Sequence, residues 1–79
     1  MVPKILRIQP LDDLNLLVTF DNNTVKTFDV KPYLKDFEAF KPLKNENLFK
    51  QAKVDVGGFG IVWNDDIDID RYDVWEFGV

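Results

Sequence analysis

The chain of 79 residues contains no cysteine, no histidine and no serine. It can therefore form neither disulfides nor thiolate or imidazole metal sites, and nucleophilic catalysis by serine or cysteine with a histidine base is excluded. Threonine, tyrosine, lysine and the carboxylates remain for chemistry. Paired carboxylates can act as acid and base, but so short a chain leaves little to build a substrate cleft around them. We expect a protein that is not an enzyme and that binds no cofactor.

Long apolar runs are also absent, so no segment is expected to span a membrane. The opening MVPKILRIQP lacks the apolar core of a signal peptide, which indicates a cytoplasmic protein. A chain of this length forms one domain, residues 1–79, whose core must be well packed. Seven phenylalanines, two tryptophans and two tyrosines supply much of the area that can be buried.

Charge is unevenly distributed along a chain whose net charge is -4. Residues 31–53 carry six lysines against three carboxylates, whereas residues 54–79 carry one arginine against seven carboxylates. An acidic total argues against nucleic acid as the main partner. The lysines at 31, 35, 41, 44, 50 and 53 could contact phosphates, but a solvated helix face is the commoner reason for such a pattern.

The stretch from Lys53 to Asp70 has the clearest structural pattern. Gly57 and Gly58 suit a two-residue hairpin loop, because both central positions need positive φ. Three apolar pairs then fall on one face: Val56 with Phe59, Val54 with Ile61, and Ala52 with Trp63. Opposed residues share a face, so a slip of one residue would destroy this agreement.

A second hairpin is predicted at Asn64-Asp65-Asp66. A three-residue loop pairs Trp63 with Ile67 and Ile61 with Ile69, and Asp68 and Asp70 then point away from the core. The last residue of such a loop usually adopts the left-handed conformation. We therefore expect positive φ at Asp66.

Three further strands are predicted before residue 31. Lys4–Gln9 places Leu6 and Ile8 on one face, and Leu14–Phe20 alternates strongly between apolar and other residues. Asn22-Asn23 suits a turn to a strand over Thr24–Val30. A two-residue loop would pair Phe20 with Val25 and Leu17 with Phe28, on opposite faces. Either both faces are partly covered or the loop is longer.

Two short helices are predicted between residues 32 and 51. Pro32 can begin the first, and Pro42 ends it. Its apolar stripe comprises Tyr33, Leu34, Phe37 and Phe40. Asn45 can cap a second helix over Glu46–Gln51, and Asp70 can cap a last helical turn. The predicted fold is α+β, a small, mainly antiparallel sheet of five or six short strands with the two helices packed on one face.

The order of several short motifs resembles that of a known family. These motifs are Leu17–Asp21 before an Asn-rich turn, Phe28-Asp29-Val30, Phe40–Leu43, Leu48-Phe49 and Gly60–Ile69. Within the last motif, the spacing of Trp63, Asp65 and Asp68 is the most specific feature. Nearly the whole chain is similar to the bacterial "domain of unknown function" family numbered 2442. That family usually has glycine where this chain has Asp66.

The resemblance implies a small α+β domain with a mainly antiparallel sheet and no known activity. It also implies two kinds of relative. Some look like chains in which this domain is joined to a helix-turn-helix segment, and others lie beside small proteins suspected to be toxins of toxin–antitoxin pairs. This chain ends at Val79, with no room for a helix-turn-helix. We therefore expect any link to nucleic acid to run through another protein.

The aspartates after Trp63 resemble a calcium loop only in part. Asp66, Asp68 and Asp70 match its first three ligand positions, but Arg71 replaces the required glycine and Phe77 replaces the closing glutamate. We expect no metal site here. A solvated turn and a polar edge that discourages strand addition explain these residues better.

The candidate partner-binding residues are Asp65, Asp68, Asp70, Tyr72 and Trp75. Trp75 lies near the end of the chain and is the expected anchor, because tryptophan is enriched at binding hot spots. The predicted function is a non-catalytic protein-interaction module, with a toxin–antitoxin-like pair as its specific form. The acidic end would then cover a basic partner surface. The alternative is a regulatory module that acts on nucleic acid through a partner.

Overall fold

Six short strands form two antiparallel three-stranded sheets in the computed structural model, which describes residues 1–79. The first sheet has the order β1-β2-β3, with β1 at Ile5–Pro10, β2 at Asn15–Phe20 and β3 at Val25–Asp29. The second has the order β4-β5-β6, with β4 at Lys53–Val54, β5 at Gly60–Asn64 and β6 at Ile67–Asp70. The predicted α+β class with five or six short antiparallel strands is confirmed: six strands are present, but they divide into two sheets and do not form one.

Helical segments connect the sheets and follow the last strand. They are α1 at Lys31–Asp36, a 3-10 helix at Glu38–Lys44, α2 at Glu46–Phe49 and α3 at Arg71–Phe77. The Asn45 side chain accepts hydrogen bonds from the backbone N–H groups of Asn47 and Leu48, as predicted for a cap of α2. Asp70 caps α3 in the same way, but α3 is a two-turn helix and not a single turn.

The first predicted helix is divided by an extended residue. Phe37 has φ -130° and ψ 122°, which ends α1, and its side chain is 53% exposed. Pro42 lies within the following 3-10 helix and does not end a helix. The stripe predicted from spacing is therefore only partly internal: Leu34 and Phe40 are buried, whereas Phe37 faces solvent.

The hairpin between β2 and β3 has a three-residue loop. Phe20 N–H donates to the carbonyl of Thr24 at 2.8 Å, and Asn23 has φ 72°. Leu16 then lies opposite Phe28, and both are buried. Of the two alternatives that the sequence leaves open, the longer loop is present.

An irregularity in β1 changes which of its residues face the core. Ile5 pairs with Phe20, but Arg7 pairs with Thr19, so the strand gains one residue between them. This bulge turns Leu6 outward, 53% exposed, and places Ile5 in the core. Ile8 packs against the core with Ile5, so the prediction that Leu6 and Ile8 lie on the same face of the strand is wrong.

In the β4–β5 hairpin, the two strands pair in the predicted register, but the loop between them differs from the prediction. Val54 pairs with Ile61, and both Gly57 and Gly58 have positive φ, at 80° and 79°. The predicted pairing of Val56 with Phe59 is wrong, because residues 56–58 form a 3-10 turn. Val56 is consequently 90% exposed and Phe59 50% exposed.

The β5–β6 hairpin is tighter than predicted. Ile61 pairs with Ile69 as expected, but Asn64 pairs with Ile67, and Trp63 lies in a bulge. The Asn64 side chain accepts hydrogen bonds from the N–H groups of Asp66 and Ile67 at 2.9 and 3.0 Å. This side-chain turn closes the loop with no positive φ at Asp66, so the left-handed assignment of Asp66 is wrong.

One core of fifteen buried apolar side chains joins the two sheets and the helices. Phe20 and Phe28 enter it from the first sheet, and Ile61 and Ile67 enter it from the second. Trp63 is buried as predicted, and its indole N–H donates to the carbonyl of Phe49 at 3.0 Å. No helix here has the length and apolar character needed to cross a bilayer.

Candidate functional site

The end of the chain is attached to the edge of the first sheet. Thr27 and Val79 exchange two backbone hydrogen bonds, of 2.7 and 2.9 Å. The Lys26 ammonium also donates to the carbonyl of Trp75 in α3. Because β3 leads directly into α1, these bonds hold α3 beside α1 and leave a groove between the two helices.

The groove has a volume of about 470 Å³ and combines aromatic with acidic side chains. Its lining residues are Phe28, Asp29, Pro32, Tyr33, Asp36, Phe37, Asp73 and Phe77. Phe77 is 66% exposed and Phe37 is similarly exposed, so two phenyl rings at the groove are open to solvent. The ring centroids of Tyr33 and Phe37 are 5.9 Å apart, and those of Tyr33 and Phe28 are 5.7 Å apart.

The three carboxylates of the groove differ in their partners. Lys31 lies 2.9 Å from the carboxylate of Asp29 and 3.2 Å from that of Asp13. Partial burial opposes ionisation of Asp29, but hydrogen bonds from Lys31 hold its pKa below the usual value. Asp36 and Asp73 form no ion pair, and neither lysine nor arginine lines the groove. The groove therefore carries negative charge that the chain does not neutralise.

Tyr33 connects the two helices across the groove. Its hydroxyl donates to Asp73 Oδ2 at 3.2 Å. Burial, followed by the charge of Asp73 and this hydrogen bond, raises the pKa of Tyr33 to about 12. The hydroxyl thus stays protonated at neutral pH and acts as a donor that holds the Asp73 carboxylate in place.

The three aspartates predicted as binding candidates lie outside the groove, in β6 and in the loop that precedes it. Asp65 is in the loop before the strand, whereas Asp68 and Asp70 occupy alternate, exposed positions on one face of it. The carboxylate of Asp70 is engaged at the start of α3, where it accepts from the N–H of Tyr72. No three acidic side chains come together in a way that could hold a metal ion.

Tyr72, another candidate, belongs to a small aromatic–cation cluster. The Arg71 guanidinium lies 4.9 Å from the ring centroid of Phe59 and 5.1 Å from that of Tyr72. Its Nε and Nη1 atoms are buried without a hydrogen-bond partner, whereas Nη2 donates to the Tyr72 hydroxyl at 3.4 Å, so this hydrogen bond and the cation–π contacts with the two rings hold the guanidinium. Tyr72 itself is 56% exposed.

Trp75, the expected anchor, points to the other side of α3. Its ring contacts that of Phe20 edge-on, with centroids 5.0 Å apart, and the Lys26 ammonium lies 4.2 Å above it. Trp75 is partly buried and packs against the core. Its ring therefore lies against the first sheet and outside the groove.

The basic middle of the chain is partly neutralised by its own carboxylates. Lys31, Lys41 and Lys50 each form an ion pair, the last two with Glu38 and Glu46. Only Lys35, Lys44 and Lys53 of the six are free of such pairs. The lysines therefore act largely as a solvated surface in this fold.

Sequence reasoning missed the groove. It placed Tyr33 and Phe37 in the apolar stripe of one helix and did not bring Asp73 or Phe77 beside them. The spacing of Tyr33, Asp36 and Phe37 is a local signal for half of the site. Nothing local places Asp73 and Phe77 beside them, about forty residues later in the chain.

Comparisons with known proteins agree with this architecture. The fold matches the crystal structure of "Putative DNA Binding Protein NE0471" from Nitrosomonas europaea ATCC 19718, with a TM-score of 0.84 and 20% sequence identity. The match covers 95% of this chain but 48% of the other, so this chain spans about half of that protein. No curated protein matches this sequence.

The family assignment comes from residues 5–76, which match the family model described as "Protein of unknown function (DUF2442)". This range contains all six strands and nearly all of α3. The resemblance inferred from the short motifs is confirmed. The chain belongs to the DUF2442 family.

Proposed function

We propose that this domain is a non-catalytic protein-interaction module, acting in the cytoplasm, whose groove between α1 and α3 binds a partner segment that presents apolar and basic side chains together. The observation that carries the proposal is the combination, in one groove, of two solvent-exposed phenyl rings with two unpaired carboxylates. Exposed apolar area favours association, and uncompensated negative charge selects a cationic partner.

The charges and the size of the groove support this choice. A volume of about 470 Å³ is enough for one or two side chains of a docking segment. Asp36 and Asp73 would attract a basic segment from a distance, since the chain is acidic overall. The exposed Phe37 and Phe77 would then supply contact area on docking.

A toxin–antitoxin-like pair is the specific form of this proposal. In that pair an acidic, aromatic groove would cover a basic surface that its partner otherwise turns toward nucleic acid. The candidate residues Asp65, Asp68, Asp70 and Tyr72 would form a second, peripheral contact, since they lie outside the groove.

The test is affinity capture from the native host with three versions of the protein. The groove variant combines Phe37→Ala with Phe77→Ala, and the matched control combines Leu6→Ala with Val56→Ala, which are exposed and lie outside the groove. We expect a stoichiometric partner to be retained by the wild type and by the control but lost by the groove variant. Equal capture by the groove variant would place the interface elsewhere.

A second candidate function is regulation of nucleic acid through a partner. One observation favours it: the structural neighbour is described as a "Putative DNA Binding Protein", and this chain corresponds to about half of it. Binding of labelled DNA or RNA by the isolated chain, weakening with salt, would support direct contact. We expect no such binding, because three of the six lysines between residues 31 and 53 are ion-paired and the net charge is negative.

A further inference from the structure

Building on the proposed function, we infer that the group recognised in the groove is the guanidinium of an arginine in the partner segment. The starting point is Asp73, which is the best-positioned carboxylate in the groove. Its Oδ2 accepts from the Tyr33 hydroxyl, whereas Oδ1 has no hydrogen-bond partner. A carboxylate held at one oxygen and free at the other offers a fixed acceptor to an incoming cation.

The aromatic side chains favour arginine over lysine. The rings of Tyr33 and Phe37 both line the groove, and their planes are inclined by 35° to each other. A guanidinium is planar, weakly hydrated and able to stack on such rings while it donates to a carboxylate, whereas an ammonium is compact and strongly hydrated. A groove that combines rings with carboxylates therefore fits a guanidinium better.

The same chain already contains this kind of interaction. Arg71 lies within about 5 Å of two ring centroids, those of Phe59 and Tyr72, with no carboxylate paired to it. The groove repeats the aromatic surroundings of Arg71 and adds the unpaired carboxylates Asp36 and Asp73, so it offers an external guanidinium both stacking and charge pairing.

The experiment titrates the full chain, followed by amide NMR shifts, with three acetylated and amidated tripeptides. Each has leucine on both sides of a central arginine, lysine or citrulline; citrulline keeps the shape of arginine without its charge. We expect the arginine peptide to shift the amides of Tyr33, Asp36 and Asp73, and to bind about tenfold more tightly than the citrulline peptide. The lysine peptide should lie between them.

Two variants test whether the groove carboxylates cause the preference. Asp73→Asn and, separately, Asp36→Asn should lower the affinity for the arginine peptide toward that of the citrulline peptide, whereas the control Asp12→Asn, at an exposed position outside the groove, should not change it. The Asp36 side chain makes no hydrogen bond or ion pair within the chain, so its variant remains informative if Asp73→Asn loses stability.

Three outcomes would overturn the inference: equal affinities for the arginine and citrulline peptides, shifts confined to residues outside the groove, or no shift with the arginine peptide at millimolar concentration. A different result would contradict the proposed function, namely capture of the partner by the variant that combines Phe37→Ala with Phe77→Ala. Capture that depends on the groove, without a preference for arginine, would leave the proposed function standing and refute only the guanidinium.

Discussion

At the scale of single residues, Asn64 closes the turn between β5 and β6 with its side chain. Asn64→Ala removes the acceptor of two backbone N–H groups, and we expect a loss of about 1–2 kcal/mol of unfolding free energy. Asp65→Ala, at an exposed loop position, should change it by less than about 0.5 kcal/mol. Urea denaturation monitored by tryptophan fluorescence measures both. Equal stabilities for the wild type and Asn64→Ala would contradict this role.

Asp66 gives a second prediction in the same loop. Because its φ is not positive, glycine relieves no strain there and adds freedom to the unfolded chain. Asp66→Gly should therefore cost about 0.5–1 kcal/mol. Asn23→Gly is the matched comparison, since Asn23 has φ 72°, and it should be neutral or stabilising. Asp66→Gly should thus lower the melting temperature, whereas Asn23→Gly should leave it unchanged or raise it.

Tyr33 makes the stability of the protein sensitive to alkaline pH. Its pKa is about 12 in the folded protein against an ordinary value of 10.0, so the folded state holds this proton more tightly than the unfolded state. The resulting stabilisation is complete below pH 10 and is lost as pH rises toward 12. The melting temperature should consequently fall more steeply across this range for the wild type than for Tyr33→Phe.

An ultraviolet titration of Asp73→Asn separates the causes of this shift. Burial is the largest cause, so the pKa of Tyr33 should fall in the variant but stay above 10.0. A pKa of Tyr33 that does not change would show that the contact with Asp73 is absent in solution.

At the scale of elements, α3 is held to the first sheet by Trp75. The ring packs on Phe20 and beneath the Lys26 ammonium, so Trp75→Ala should cost about 2 kcal/mol or more in unfolding free energy. Trp75→Phe keeps an aromatic edge contact and should cost less. Chemical denaturation of both variants checks this. An undiminished stability for Trp75→Ala would contradict this structural role and favour the role of Trp75 as an interface anchor.

At the scale of the whole molecule, the two sheets meet where Gly58 passes β1. A Cβ at Gly58 would lie 2.6 Å from the carbonyl oxygen of Ile5, and φ is +79°. Gly58→Ala should therefore cost at least about 2 kcal/mol of unfolding free energy. Gly57→Ala has a similar φ but meets only the movable ring of Phe59, so it should cost about 1 kcal/mol. Similar losses would show that the sheets do not touch at Gly58.

Features with a local cause were predictable from the sequence. The alternation of β2 buries Leu16, Val18 and Phe20, because side chains one residue apart point to opposite faces. Asn45 and Asp70 cap helices because a side-chain oxygen reaches N–H groups two or three residues ahead. Each of these depends on residues within a few positions of one another, so one sequence suffices to predict them.

The bulges, the division into two sheets and the groove were decided only by the tertiary structure. Leu6 is exposed because β1 gains a residue where it pairs with β2, and no pattern within β1 indicates this. Tyr33 and Asp73 meet because the bonds between Thr27 and Val79 hold α3 beside α1. Contacts between residues forty positions apart depend on how whole elements pack, and packing follows from the shared burial of all the apolar side chains at once. Local spacing therefore could predict the strands and caps but not the groove.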